Sequence, residues 1–124
     1  LKLPDTGKVR VSGPELTAYD LFYYMERLGG LVRCIAVLEE LAENLDPQIF
    51  ASLVQENPVL APWQRLGYTL EHLLDKTEAA DAIFRQIKKQ RIYRILLNPA
   101  GAKSGFSAHN RWNIIENHSM GGES

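Results

Sequence analysis

The sequence predicts an α+β fold in one domain, with about five helices packed on a small sheet of about three strands, one early and two late. Three observations predict it. Between Pro14 and Lys89, apolar residues recur at helical spacing, punctuated by caps, glycines and prolines. From Arg91 to Asn117, two β-branched and aromatic runs flank a loop of small and polar residues, which reads as a pair of strands. Lys8-Val9-Arg10-Val11-Ser12 alternates polar and apolar residues, as a strand with one buried face does. At 124 residues the chain is long enough for one core burying about two-thirds of its unfolded surface.

The early strand belongs at or near a sheet edge. Ser12-Gly13-Pro14-Glu15 then starts a helix, with Ser12 or Gly13 as cap, Pro14 in the first turn and Glu15 favourably placed against the helix dipole. Ala18, Leu21, Phe22 and Met25 form its inner stripe, and Tyr19, Tyr23 and Tyr24 are expected to hold their rings in the core with hydroxyls at the rim. Gly29-Gly30 stops this helix. A second runs from Leu31 to Leu45, apolar over more than the usual stripe, and is expected to be the most buried. Cys34, the single cysteine, sits among its apolar residues as an inert structural thiol. Glu39, Glu40 and Glu43 read as a solvated acidic face.

Asp46-Pro47 restarts a helix whose inner side is Ile49, Phe50, Leu53 and Val54. Pro62 opens the next, Trp63 to about Leu74, with Leu66, Leu70, Leu73 and Leu74 facing inward. Gly67 in its middle costs about 1 kcal/mol relative to alanine unless another element packs close against it, so it predicts a close crossing by a helix or the sheet. Thr77 caps the last helix, with Ala79, Ala80, Ile83, Phe84 and Ile87 inside and Lys88 and Lys89 near its end. In the closing stretch, the run from Ile92 to Leu97 is apolar on both faces and should be covered on each side. The connection from Asn98 to Asn110 exceeds the roughly two to five residues of a hairpin, which favours a binding or docking loop.

Net charge is −1, but it is polarised: from Ala82 to Ile115 there are seven basic residues and no acidic one, whereas residues 1 to 81 carry seven basic and thirteen acidic. Arg85, Lys88, Lys89, Arg91, Arg94, Lys103 and Arg111 are therefore the candidate contacts to an anionic partner, either phosphate or an acidic protein face. Within the loop, Ser104, Phe106 and Asn110 are candidate contacts, beside the donors of Asn98, Gly101, Gly105 and Ser107. The alternative is that these charges form ordinary solvated faces. Reversing Lys103 and Arg111 to glutamate is expected to weaken an anionic interaction and leave folding intact.

His72, His109 and His118 are widely spaced and neither HExxH nor CxxC occurs, so the sequence implies no metal site. GxSxG, GxGxxG and Walker sequences are also missing, so no hydrolase, dinucleotide or P-loop reading has local support and no catalytic residue or cofactor is nominated. No apolar run approaches the roughly 20 residues that cross a bilayer. A cytoplasmic protein without a membrane partner is the expectation.

Three stretches resemble the C-terminal domain of AbiEi-type antitoxins, the bacterial transcriptional regulators of type IV toxin–antitoxin systems linked to abortive phage infection. They are VRVSGPELTAYDL (Val9 to Leu21), WQRLGYTLEHL (Trp63 to Leu73) and LLNPAGAKSGFSAHNRWNIIEN (Leu96 to Asn117), and the segment from Arg27 to Pro47 is similar to the family's Gly-Gly break and long helix. The resemblance implies a winged-helix DNA-binding domain in front of this one, and the start at Leu1 without methionine agrees with its absence here. It also implies a role against a nucleotidyltransferase-like toxin, with DNA contacted through the missing domain and no stable complex with the toxin required. No catalytic motif or ligand residue carries over from the family. A domain that contacts nucleic acid directly through the basic residues 85 to 111 is the alternative.

Overall fold

Helix α4 (Leu60–Tyr68) is the axis of the fold, and the sequence gives it the means: Trp63 and Leu66 point into the core while Gly67 opens space on the same helix. Around it, the computed structural model describes residues 13–103 and 105–117. Helices α1 (Pro14–Tyr23) and α5 (Thr77–Ile87) pack on α4, α3 (Pro47–Glu56) packs on α5 and α1, and α2 (Leu31–Leu41) packs on α1. Strands β1 (Ile95–Leu96) and β2 (Ile114–Ile115) make a two-stranded sheet, and β2 leans on α4. The α+β class is therefore as expected, with five helices and two late strands among the described residues. The early strand expected at Lys8 to Ser12 lies outside the described residues.

Local chemistry explains most boundaries. Gly13 is the cap position of α1 and Pro14 its first residue. Gly29 and Gly30 reverse the chain with φ of 103° and 92°, values that a side chain would strain. Asp46 caps α3 by accepting the Gln48 N–H at 2.9 Å. Thr77 is the first residue of α5 and Lys76 its cap position, without a side-chain bond, so the cap expected at Thr77 falls one residue away. The helix expected to run on to Leu74 changes character at Thr69–Leu73, a π turn in which the Leu74 N–H reaches back to the Thr69 carbonyl at 3.1 Å.

Burial departs from expectation at two places. The second helix ends at Leu41, followed by a 3₁₀ turn at Ala42–Asn44, and it is not the most buried: Val32 is 67 % exposed. Its principal helix neighbour is α1, whereas α4 is enclosed by α1, α5 and β2 and buries Pro62, Trp63, Gln64, Leu66, Gly67 and Tyr68. Of the three tyrosines on the first helix and its end, only Tyr19 is in the core, its ring centroid 4.4 Å from that of Trp63. Tyr23 and Tyr24 are exposed, because Ala18, Leu21 and Phe22 already fill the face of α1 that meets its neighbours.

The two late strands pair in parallel, Ile95 with Ile114 and Leu96 with Ile115. The Ile95 and Leu97 N–H groups donate to the Asn113 and Ile115 carbonyls, each at 3.0 Å. A parallel pair needs a connection of about a dozen residues or more to bring the chain back to the same end. The length of the loop between them is thus a requirement of topology, which removes length as an argument for docking. Ile92 and Ile95 are half-buried and Leu97 is buried, but Tyr93 is 66 % exposed, so the first strand is covered on one side rather than on both.

Candidate anion-binding surface

Asparagine amides build the loop. Asn117 accepts the Asn98 N–H at 2.8 Å and donates to the carbonyls of Asn98 (2.8 Å) and Ala102 (2.9 Å), tying the two ends of the crossover together. Asn110 accepts from the N–H groups of Trp112 and Ile114, both at 3.1 Å, and donates to the Ile114 carbonyl at 2.9 Å. Asn113 holds a left-handed φ of 55°, which asparagine tolerates better than most residues, and its amide reaches the Ile92 carbonyl at 2.7 Å. Asn110 thus spends its side chain on the chain itself rather than on solvent.

That scaffold delivers Trp112 to α4. The indole lies against Gly67 and meets Phe84 edge to face at 5.3 Å, and its Nε1 donates to Glu71 Oε1 at 2.7 Å. The close crossing expected at Gly67 is therefore real, and the element that crosses is this ring. Gln64 fastens the same region from below: its amide nitrogen donates to the Trp112 carbonyl at 2.8 Å and to the Tyr93 carbonyl at 2.7 Å, so one buried side chain holds both strand segments.

The seven basic candidates divide. Arg111 is clamped: Nε donates to Glu71 at 3.1 Å, a terminal nitrogen donates to Asp81 at 2.5 Å, and the guanidinium lies over Phe84, 4.6 Å from the ring centroid. Partial burial pulls its pKa down, but the hydrogen bonds and charges of Asp81 and Glu71 outweigh that and leave it raised. Its charge is spent within the fold. Arg94 and Lys103, in contrast, line one cleft of about 410 Å³ with Phe106, Ser107 and His109. Arg85, Lys88, Lys89 and Arg91 are exposed at and after the end of α5. None of these six makes a salt bridge or side-chain hydrogen bond to a described residue. Phe106 is 42 % exposed at the cleft, and Ser104 lies outside the described residues.

Chemically, the cleft offers two cations, an aromatic face and a serine hydroxyl, a set suited to holding an anion by charge and stacking. No group of three or more potential metal-binding side chains occurs among the described residues, and no described helix is long and apolar enough to cross a membrane. Sequence reasoning missed Gln64, Arg65 and Glu71. The signal was polar residues within the apolar face of the Trp63-to-Leu74 segment, where a buried amide or guanidinium requires a specific partner.

The family described as the AbiEi antitoxin C-terminal domain matches residues 3–72. The match takes in α1 to α4 and ends within the π turn, before α5, the sheet and the cleft. No curated protein and no solved structure matches the chain.

Proposed function

From the premise that this chain belongs to the AbiEi antitoxin C-terminal domain family, we propose that it is the non-enzymatic regulatory domain of an antitoxin. It opposes a nucleotidyltransferase-like toxin and supports operon repression by a DNA-binding module in front of it. The family match over residues 3–72 carries this reading. A toxin-rescue assay in cells tests it, comparing this chain alone, the chain joined to a winged-helix module, and the chain with Arg94→Glu and Lys103→Glu. Rescue by either form supports the antitoxin role, and rescue by the chain alone makes DNA binding dispensable for it. Failure of both folded, expressed forms overturns it.

One observation favours a second reading, direct contact with nucleic acid: Arg94 and Lys103 share a cleft with an exposed phenylalanine, and the exposed cations Arg85, Lys88, Lys89 and Arg91 lie in the same part of the chain. Phosphate contacts release counterions, so such binding weakens steeply as salt rises. Binding to an oligonucleotide that is insensitive to salt and to Arg94→Glu/Lys103→Glu removes this reading.

A further inference from the structure

A different cleft, of about 300 Å³, lies where the end of α1 meets Arg65 and Pro99. Phe22 and Met25 are its buried apolar floor. Tyr23 and Tyr24 form its rim, 48 % and 44 % exposed, with ring centroids 4.8 Å apart. Arg65 enters from α4, and its Nε donates to the Leu96 carbonyl at 2.9 Å, which fixes the plane of the guanidinium. Its remaining N–H groups have no acceptor among the described residues. Burial pulls the Arg65 pKa down and the nearby charge of Glu26 restores part of it, yet the two form no ion pair. Arg65 is half-buried at the open cleft, so its free N–H groups face the space where a ligand anion would sit.

We propose that this cleft, whose lining also includes the exposed Arg27, binds a small aromatic anion of the nucleoside monophosphate class, with its phosphate on Arg65 and Arg27 and its base against Tyr23 or Tyr24. Four features select that chemistry. A guanidinium whose plane is already fixed receives two phosphate oxygens with little further loss of freedom. Exposed tyrosine rings give a planar base a stacking face. Glu26, which also lines the cleft, accepts hydroxyl or amino hydrogens and opposes ligands of high negative charge. The volume stands at the small end of ligand pockets, which suits one nucleotide unit rather than a strand. The site shares no lining residue with the Arg94–Lys103 cleft and does not rest on the antitoxin reading.

The test is an NMR titration of the 124-residue chain with adenosine monophosphate, adenosine and inorganic phosphate in parallel. The monophosphate is expected to shift the amides of residues 22–27 and 65, and to bind about tenfold or more tightly than either fragment. Arg65→Lys is expected to weaken it by a similar factor, because lysine cannot reproduce the planar fork. Arg65 also holds Leu96, so Tyr23→Ala/Tyr24→Ala, on two exposed rings, decides the matter if Arg65→Lys does not fold. The proposal is overturned if phosphate alone binds as tightly as the monophosphate, if the shifts centre on Arg94 and Lys103, if no binding occurs, or if the tyrosine variant binds unchanged.

Discussion

A Cβ on Gly67 would lie within 2.8 Å of Trp112 Cε3 and closer still to Cζ3 and Cη2, so the hydrogen of this glycine is what allows the indole to lie on α4. Alanine is favoured over glycine in a helix by about 1 kcal/mol, but here the clash falls on a fully buried ring held at its edge by Glu71. Gly67→Ala is expected to destabilise by about 2 kcal/mol net, a fall of several degrees in melting temperature. Thermal unfolding followed by circular dichroism checks it, and an unchanged or raised midpoint would show that the ring is free to move.

Trp112→Ala removes the clashing partner together with its packing on Phe84, and about 3–5 kcal/mol of stability should go with it. In that background Gly67→Ala is expected to become neutral or stabilising, since only helix propensity remains. The double-mutant cycle in urea therefore gives a coupling larger than 1 kcal/mol, roughly. Additive single effects would contradict the contact.

Arg111 and Lys103 carry the same sign of charge and should behave differently when reversed. Arg111→Glu puts a carboxylate beside Glu71 and Asp81 and strips a cation from Phe84, with an expected loss of about 2 kcal/mol or more. Lys103→Glu, on an exposed side chain without a described partner, should stay within about 0.5 kcal/mol of the parent. Urea midpoints of the two single variants test this. The pair Lys103/Arg111, attractive from sequence, would thus confuse loss of binding with loss of fold, whereas Arg94/Lys103 does not.

Burial pushes the Tyr19 hydroxyl pKa up from 10.0 to about 12, with the charges of Tyr23, Asp20 and Tyr24 adding to the effect. The folded protein then holds this proton where the unfolded chain has lost it. The associated stability is fully present below pH 10 and lost as pH rises from 10 towards 12. Tyr19→Phe should flatten that alkaline limb, read as urea midpoint against pH. A limb of the same slope in the variant would assign the loss to other groups.

The order of elements was legible because each helix carries its own punctuation: Gly13-Pro14, Gly29-Gly30 and Asp46-Pro47 act within a few residues. Gly67 was legible as well, since a mid-helix glycine signals a close neighbour whatever that neighbour is. Which residue fills the space was not, because Trp112 is distant in sequence and no local pattern encodes the pairing. Strand direction was not legible for the same reason, since composition reports strands and not which end the connection returns to. In the basic stretch, charge sign was visible and charge use was not: Arg94 and Arg111 look alike until Glu71 and Asp81 are seen around one of them.

The groove at Gly67 is filled by a residue that comes much later in the chain, after all five helices. Synthesis delivers α1 through α5 first, and the surface around Gly67 and Phe84 stays open until Trp112 has been made. A message cut short before that codon, or a protease that clips the crossover between β1 and β2, yields a product with its central helix unsealed. Such a product is a substrate for cellular quality control. Trp112 therefore ties closure of the core at Gly67 to synthesis of the chain past the crossover.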